Sequence, residues 1–453
     1  MRLNYSLPEA EIEKAFIDGS DTLGQRDLAL RLTSLFKNLE HGTVSIFDGK
    51  WGSGKTTFVK SWLALLRSRG FPTIYFDAFG YDYIASPYDA VASTFIRASK
   101  EAGKTGDPIY ANFLSRAAKV GKAVAGAGVK IGVKVATLGI ISAAEIEHLS
   151  DMKDDIAEAL GDASDDAVAS ALEKHAENEN SFKAFREALT SLPKLLSEPR
   201  PDGTALPLIV VIDELDRCRP DFALGVIETL KHFFRSDSIH FILVTNKSHL
   251  ALSVAHRYGV SSASEEYLEK FFDFVISYGL SYSKYDADAI RSFIGHLRAK
   301  LLGTNPYGHD IETYIREISI AFRLSLRQIE SLFSSVVLAN AASNDREFRP
   351  TVLIAFLCAL KILKPSLYLK ARDGTLSYLD INEFFNQGLW DSNFNYSYVL
   401  ESFKFFLDPS IDTSDPKWRG LQQGYSQFNL EPLNTIRYLC RSVLDRFGDP
   451  SAL

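Results

Sequence analysis

A loop near the N-terminus carries the residue pattern with the clearest chemical meaning. It reads Gly-Lys-Trp-Gly-Ser-Gly-Lys-Thr over residues 49–56 and satisfies the pattern G-x-x-x-x-G-K-[ST]. Glycines let the backbone N–H groups point at phosphate oxygens, and a helix that starts there adds its positive N-terminal end. Lys55 would then reach the β- and γ-phosphates, and the Thr56 hydroxyl would ligate Mg²⁺. The predicted nucleotide-contacting residues are Gly49, Trp51, Gly52, Ser53, Gly54, Lys55, Thr56 and Thr57.

The segments on either side of this loop support the same interpretation. Residues 43–48 are mostly β-branched, aromatic or apolar and stop at a glycine, which predicts a strand. Residues 58–69 have a helical pattern, and residues 73–77 predict a second strand. A strand, a glycine loop, a helix and a strand in that order form a βαβ unit, so we expect a parallel sheet.

Two acidic residues end a later apolar run, residues 208–212. Asp213 would hold the shell of a Mg²⁺ ion, usually through water, and Glu214 would polarise the attacking water as a general base. A glutamate directly after the aspartate favours an additional strand between the strand that precedes the loop and the strand that precedes the acids. The predicted fold class is therefore α/β, a P-loop NTPase parallel sheet of the additional-strand, glutamate-using type.

The rest of the chain predicts helices around this sheet. Residues 100–200 interrupt the alternation of strands and helices, and only helical patterns follow residue 283. The aromatic residues near the C-terminus, such as Phe384, Phe385, Phe405 and Phe406, are interpreted as core. The predicted domains are the first half of the NTPase core with the loop (1–99), a helical Gly/Ala-rich insertion (100–200), the second half of the core (201–280), a helical lid (281–340) and a helical C-terminal domain (341–453).

Three stretches, taken in order, resemble the KAP family of P-loop NTPases. Residues 47–56 resemble its G-x-W-G-S-G-K-[ST] loop, including Trp51. Residues 213–218 read Asp-Glu-Leu-Asp-Arg-Cys and resemble its D-[DE]-L-D-R-C strand end. Residues 267–270 resemble the Y-L-E-K segment before its last core strand. The resemblance extends over residues 20–335 and includes a long insertion between the two nucleotide-binding motifs.

This resemblance implies an ATP-driven switch or assembly scaffold, often linked to membranes, and some bacterial members resemble phage-exclusion proteins. The chain departs from the family in two places. The family's insertion often carries transmembrane helices, which this one does not clearly do. Thr245-Asn246-Lys247 stands where the family often has an aspartate after the fourth strand. Asn246 can still sense the γ-phosphate or the attacking water, and the alternative is an ordinary turn asparagine.

An NTPase of this class commonly needs an arginine to stabilise charge in the transition state. Arg257 lies late in the helix after the fourth strand, and Arg327 begins a predicted lid helix and resembles a sensor arginine. We favour these two over Arg217 and Arg219, which flank the acidic strand end. For each, the alternative is an ordinary salt bridge or a solvated side chain. Arg217, in particular, could pair structurally with Asp216 or Asp221.

The Gly/Ala-rich stretch 117–144 is too often interrupted by charge to predict a membrane span. On a helix its lysines, at 119, 122, 130 and 134, fit an arc of about 120°. Such a lysine-striped face suits an anionic bilayer surface or a partner. The alternative is a helix that packs closely on its own protein through glycine and alanine.

Composition narrows the choice of partners and compartment. The net charge is −7, so no global basic field favours nucleic acid, although a local patch is compatible with it. The three cysteines form no CxxC pair, which disfavours a disulfide framework or a zinc site and fits a reducing cytosol. Acidic residues near the N-terminus disfavour a signal peptide. We expect a cytoplasmic protein, with membrane association through residues 117–144 left open.

Three functions remain open from the sequence. The first is an ATPase switch that uses ATP and Mg²⁺ to drive assembly or remodelling, forms a homo-oligomer and acts on an unidentified protein partner. The second is a non-hydrolysing scaffold in which ATP stabilises the fold and an oligomer. The third is a nucleic-acid-stimulated motor, which the acidic net charge disfavours. The resemblance also implies adenine rather than guanine as the base, and the chain shows no N-K-x-D-type guanine reader.

Overall fold

A computed structural model gives the positions of residues 8–128, 179–198, 204–231, 236–258, 264–279, 284–302, 308–342, 350–390, 394, 396–426 and 431–445. By its internal contacts the chain divides into two units. The sheet unit comprises Arg26–Gly49 and Lys55–Tyr278. The helical unit comprises Met1–Gln25, Lys50–Gly54 and Gly279–Leu453. The finer division into five domains remains a proposal.

The sheet unit contains, among the described residues, five parallel strands in the order β2-β3-β4-β1-β5. The strands are β1 (Val44–Asp48), β2 (Thr73–Asp77), β3 (Leu208–Asp213), β4 (Ile239–Thr245) and β5 (Phe274–Ser277). β4 lies between β1, which precedes the glycine loop, and β3, which ends in Asp213. The predicted additional strand is therefore confirmed.

Burial explains why the strands differ in sequence. β3 and β4 are central, and every residue in them is buried, which matches their continuous apolar runs. β2 and β5 are at the edges and alternate, so that Ile74 and Phe76 are buried while Thr73 and Tyr75 are partly exposed. The carboxyl ends of all five strands meet at one edge of the sheet. In register, Asp77 pairs with Asp213 and Asp48 pairs with Thr245.

Helices of the sheet unit pack on this sheet and follow its connections. They are α2 (Arg26–Asn38), α3 (Lys55–Ser68), α4 (Pro87–Glu101), α5 (Pro108–Gly128), α6 (Leu192–Leu196), α7 (Pro220–Thr229), α8 (Lys247–Tyr258) and α9 (Ser264–Glu269), and residues 179–189 are also helical. The described parts of the 100–200 segment are thus helical, as predicted. Phe113 and Val120 of α5 are buried in the same core as the sheet.

The lysine-striped face predicted for 117–144 falls largely outside the described residues. Within α5, Ala117 and Val120 are buried against the sheet unit, and Lys119 is exposed. This part of the stretch therefore packs on its own protein. Lys130 and Lys134 lie outside the described residues, so membrane or partner binding there stays a prediction. Of the described helices, none combines the length and apolar character that a membrane crossing needs.

The helical unit has its own core. Its helices are α1 (Glu9–Asp18), α10 (Lys284–Leu301), α11 (Gly308–Ala321), α12 (Leu326–Ala342), α13 (Thr351–Leu363), α14 (Pro365–Asp373), α15 (Tyr378–Asn386), α16 (Tyr396–Leu407), α17 (Arg419–Ser426) and α18 (Pro432–Tyr438), followed by a π-helical turn at Leu439–Leu444. Residues 352–360 of α13 are all buried, which explains its apolar sequence. Phe384, Phe385, Phe405 and Phe406 are buried in this core.

Candidate functional site

The glycine loop turns sharply between β1 and α3. Gly52 and Gly54 have φ values of 76° and 90°, in the left-handed region where glycine is favoured. The backbone N–H of Ser53 donates to the Lys50 carbonyl at 3.2 Å, and α3 begins directly after the loop at Lys55. The Ser53 hydroxyl is buried and has no hydrogen-bond partner among the described residues. A buried, unsatisfied hydroxyl in this loop fits a ligand that accepts hydrogen bonds, as a phosphate does.

Gly52 is also in close contact with the start of α12 in the helical unit. The Arg327 backbone N–H donates to the Gly52 carbonyl at 3.2 Å. A Cβ added at Gly52 would lie 2.7 Å from the Arg327 Cβ and 3.1 Å from the Ser325 hydroxyl. Gly52 is therefore required for two separate reasons: its positive φ and the approach of residues 325–327.

Gly52→Ala should lower thermal stability more than an alanine at another left-handed glycine. The left-handed backbone alone costs an alanine about 1–2 kcal/mol, and the clash with Arg327 adds to this cost. Gly70→Ala is the matched control, since Gly70 has a φ of 81° but no atom within 4 Å of an added Cβ. Thermal unfolding of both variants measures the difference. Equal decreases in melting temperature would contradict the contact with Arg327.

Lys55 is half-buried and points back into the loop. Its ammonium donates to the Gly49 carbonyl at 2.5 Å. Burial lowers the pKa of Lys55, while the nearby Asp216, Asp213 and Asp48 carboxylates act in the opposite direction. The side chain is thus a partly desolvated cation at the base of the loop, and its bond to the neutral Gly49 carbonyl is one that a phosphate oxygen could replace.

Asp213 is 2% exposed at the end of β3 and is held by hydrogen bonds on both carboxylate oxygens. Tyr75 donates its hydroxyl to Oδ2 at 3.0 Å, and the Glu214 backbone N–H donates to Oδ1 at 2.8 Å. The Thr56 hydroxyl also bonds to this carboxyl group. Burial raises the pKa of Asp213, and the hydrogen bonds from Thr56 and Tyr75 oppose the shift. Burial also raises the pKa of Tyr75, so its hydroxyl is the donor in this pair.

The residues at this position fit a magnesium ion. Thr56 and Asp213 provide only oxygen atoms, the ligand type that Mg²⁺ prefers, and Mg²⁺ sites of this kind are completed by phosphate and water. Among the described residues there is no group of three or more His, Cys, Asp or Glu side chains that could hold a metal by itself.

Glu214 has an uncommon backbone conformation, and its side chain forms an ion pair. Its φ of 62° lies in the left-handed region, which is uncommon for a residue with a side chain. Its Oε1 lies 2.8 Å from Nη1 of Arg217. The Glu214 side chain is 20% exposed. Burial raises the pKa of Glu214, and Arg217 opposes this. The predicted alternatives of Asp216 or Asp221 as partners of Arg217 are wrong, because the left-handed turn at Glu214 brings the two side chains together.

Both acids predicted for Arg217 have other partners. Asp216 Oδ2 accepts from the backbone N–H of Asn246 at 2.9 Å, which ties the end of β3 to the end of β4. Asp221 Oδ1 lies 3.0 Å from Nη1 of Arg257. Both side chains of this second pair are well exposed, so the pair adds little stability and Arg257 can readily change partner. Arg219 is bound to Asp82 through its backbone N–H and its guanidinium group.

Asn246 begins the connection from β4 to α8. Its Oδ1 accepts a long hydrogen bond, 3.4 Å, from the backbone N–H of His249, as a helix-capping residue does. The next residue, Lys247, donates its backbone N–H to Asp48 Oδ1 at 2.8 Å. The carboxyl ends of β1, β3 and β4 are thus connected through Asp48, Asp216 and Asn246. The predicted sensor role of Asn246 stays a prediction.

Most of the predicted residues of the sheet unit therefore lie at one edge of the sheet. Lys55, Thr56, Asp213, Glu214 and Asn246 all lie at or just beyond the carboxyl ends of β1, β3 and β4. Arg257 lies in the last turn of α8 and pairs with Asp221 rather than with these groups. Trp51 is 46% exposed in the loop, and Arg327 is exposed at the start of α12 in the helical unit.

A family model described as the KAP family P-loop domain matches residues 28–341. The chain belongs to this family. The KAP match includes the glycine loop, the acidic strand end and both favoured arginines, so the resemblance seen in the sequence is confirmed. A comparison with curated protein sequences gives no match.

Two solved structures are similar to this KAP chain over most of their length. One is the Aeropyrum pernix ORC2 protein in ADPNP and ADP complexes, with 13% identity and a TM-score of 0.36 over 92% of this chain and 94% of that one. The other is a DNA replication initiation factor, with 11% identity and a TM-score of 0.28 over 97% of each chain. Scores of this size say nothing about the activity of the KAP chain.

Sequence reasoning missed one residue at this edge, Tyr75. A tyrosine in a strand is an ordinary β-former, so the pattern of residues 73–77 gave no reason to select it. Only the register of β2 and β3 shows that Tyr75 lies beside Val211, two residues before Asp213.

Proposed function

We propose that the chain binds ATP with Mg²⁺ and hydrolyses it to ADP and phosphate, as a nucleotide-driven switch in assembly or remodelling. The observation that carries this proposal is the pairing of a buried Asp213 with an adjacent Glu214 at the sheet edge where Lys55 and Thr56 begin α3. Thr56 and Asp213 would hold a Mg²⁺ ion there, and this ion would supply positive charge against the phosphates.

Each residue would have a defined task in this reaction. Lys55 would leave the Gly49 carbonyl and bind the β- and γ-phosphates, while the loop N–H groups hold the remaining oxygens. Thr56 and Asp213 would hold the Mg²⁺ shell. Glu214 would accept the proton of the attacking water through Oε2, since the ion pair with Arg217 engages Oε1. Asn246 would orient the same water or the γ-phosphate.

Phosphate release from ATP by the purified protein tests this proposal directly. With Mg²⁺ present, we expect continuous turnover that EDTA abolishes. We expect GTP at equal concentration to compete poorly, because the preference for adenine follows from the family resemblance and the missing guanine motif. A protein that binds no ATP at millimolar concentration would refute the proposal. Adding DNA or RNA to the same assay tests the nucleic-acid-stimulated alternative.

A non-hydrolysing scaffold is the second candidate. The ion pair between Glu214 and Arg217 favours it, because the nearby positive charge acts to lower the pKa of Glu214 and so weakens it as a base. Here ATP would stabilise the fold and an oligomer without turnover. The two candidates differ in one measurable property, the release of phosphate under conditions in which nucleotide is bound.

The site also needs positive charge beyond Lys55, and we propose that Arg257 or Arg327 provides it in an ATP-dependent homo-oligomer. Arg257→Ala or Arg327→Ala should then lower kcat roughly 100-fold, the usual cost of removing one preorganised charge-stabilising group. Arg291→Ala is the matched control, because Arg291 forms a similarly exposed pair with Asp288 in α10. Mass photometry with and without ATP measures assembly. Wild-type rates in both variants would exclude these arginines and leave Arg217 and Arg219.

A role in defence against phage is proposed on the family resemblance. Cells that express the wild-type chain should resist infection by some phages, and cells that express Lys55→Ala at the same level should not. Plaque counts on the two strains measure this. Equal plaque counts across a broad phage panel would remove the support for a defence role without affecting the proposed ATPase activity.

A further inference from the structure

Tyr75 lies in the edge strand β2, on the same face of the sheet as Asp213. Its register partner in β3 is Val211, and Asp77 pairs with Asp213 two residues further on. Side chains two residues apart on a strand point to the same face, so Tyr75 and Asp213 are diagonal neighbours within reach of a long side chain. The Tyr75 hydroxyl bridges this gap and donates to Asp213 Oδ2 at 3.0 Å.

The ring of Tyr75 is itself held in place. The ammonium of Lys60 lies over it, 5.2 Å from the ring centroid. Lys60 belongs to α3, the helix that begins with Lys55 and Thr56 directly after the loop. Tyr75 is therefore packed between the loop helix and the acidic strand end, and its hydroxyl has a fixed direction toward the carboxylate.

Asp213 needs such a partner because it is 2% exposed. A carboxylate with so little exposure makes few hydrogen bonds to bulk water, so the protein donors around it decide which oxygen faces a ligand. The Glu214 N–H fixes Oδ1 and the Tyr75 hydroxyl fixes Oδ2. The Thr56 hydroxyl is the third donor, and it would turn to hold Mg²⁺ in the proposed site. Tyr75 and the Glu214 backbone would then be the donors that remain.

We propose that Tyr75 is a positioning residue that holds the Asp213 carboxylate for the Mg²⁺ of a bound Mg²⁺–nucleotide complex. This inference rests on the proposed function and adds a residue to the same site. Groups that hydrogen-bond a metal-binding carboxylate commonly change metal affinity 10–100-fold when removed. Tyr75 would act only on the Mg²⁺-dependent part of binding, because it lies against Asp213 and not against the loop.

Tyr75→Phe tests this with little change in packing, since it keeps the ring under Lys60 and removes only the hydroxyl. A fluorescent ADP analogue is titrated in EDTA and then in increasing Mg²⁺. We expect unchanged affinity in EDTA, but about tenfold more Mg²⁺ to reach half of the Mg²⁺-dependent gain in affinity. Tyr88→Phe is the matched control, because Tyr88 is 2% exposed and donates to the Ala117 carbonyl at the same 3.0 Å distance. It should have the wild-type Mg²⁺ midpoint.

The outcomes separate this inference from the proposed function. A wild-type Mg²⁺ midpoint in Tyr75→Phe would overturn the positioning role, and so would an equal shift in Tyr88→Phe. Weaker binding in EDTA together with a lower melting temperature would mean that Tyr75 is merely structural. If the wild type binds nucleotide with Mg²⁺ but releases no phosphate, hydrolysis fails while the Tyr75 result still decides this inference. A wild type that binds no nucleotide would overturn both.

Discussion

Lys55→Ala should abolish measurable ATP turnover, with a loss of roughly 1,000-fold or more. The substitution removes the half-buried cation at the base of the loop, which lies near the Asp213, Asp216 and Asp48 carboxylates. A phosphate that approaches this position would then meet mainly negative charge. Removal of a single preorganised donor already costs 10²–10³, and Lys55 would contribute to ground-state binding as well. Steady-state phosphate release and calorimetric titration with ATP measure both losses.

The control for this variant is Lys100→Ala, which removes an exposed lysine from α4. Circular dichroism should show both variants folded, since Lys55 is only partly buried and is not one of the apolar residues that form the core. Retention of turnover within tenfold of the wild type in Lys55→Ala would show that the glycine loop is not where the phosphates bind. That result would remove the basis of every assignment at this edge of the sheet.

Glu214→Gln should lower kcat roughly 1,000-fold and leave ATP affinity close to that of the wild type. General acid–base catalysis by a positioned side chain contributes about 10²–10⁴-fold, and glutamine keeps the shape of glutamate but cannot accept the proton. The ion pair with Arg217 is lost as well, but glutamine retains an oxygen that accepts a neutral hydrogen bond. Burst and steady-state phosphate release, measured beside nucleotide binding, would separate the chemical step from binding.

Glu312→Gln is a close control for this change. Glu312 forms an ion pair with Arg298 at 3.0 Å, and its 19% exposure nearly equals the 20% of Glu214. The two variants therefore remove the same kind of ion pair in different units. Both Glu214→Gln and Lys55→Ala should fail to release phosphate. If only Lys55→Ala also fails to form the homo-oligomer, assembly requires bound nucleotide but not its hydrolysis. If Glu214→Gln keeps the wild-type rate, Glu214 is not the base and the scaffold interpretation gains support.

The sheet could be predicted because its signals are local or depend on motif order. Residues 208–213 form a continuous apolar run because β3 is buried on both faces, and the acids that follow mark its carboxyl end. The position of β4 between β1 and β3 followed from the adjacency of Asp213 and Glu214, which is a property of one class of NTPase. None of this required knowledge of distant contacts.

The unpredicted features all depend on contacts across the chain or on backbone angles. Tyr75 reaches Asp213 only because of the register between β2 and β3, which no local sequence pattern encodes. The ion pair of Arg217 with Glu214 depends on a left-handed residue at a glutamate, where propensity would not place one. The approach of residues 325–327 to Gly52 connects segments more than 270 positions apart. Side-chain partners at a site are decided by such geometry, so sequence can identify the groups but not pair them.

The order of the strands has a consequence for synthesis of the chain. β1 pairs with β4 and β5, and Val44 has its register partner at Phe241, 197 positions later; β2 pairs with β3, with Thr73 beside Ile209. While the ribosome makes the first two hundred residues, β1 and β2 therefore have no strand to pair with. Their apolar side chains and strand edges stay exposed until β3 and β4 have been made, and exposed strand edges of this kind promote aggregation. The insertion lengthens that interval, although its cost in loop-closure entropy grows only slowly with its length. We therefore expect the sheet to form only after β3 and β4 have been synthesised, and the nascent chain to depend on chaperones until then.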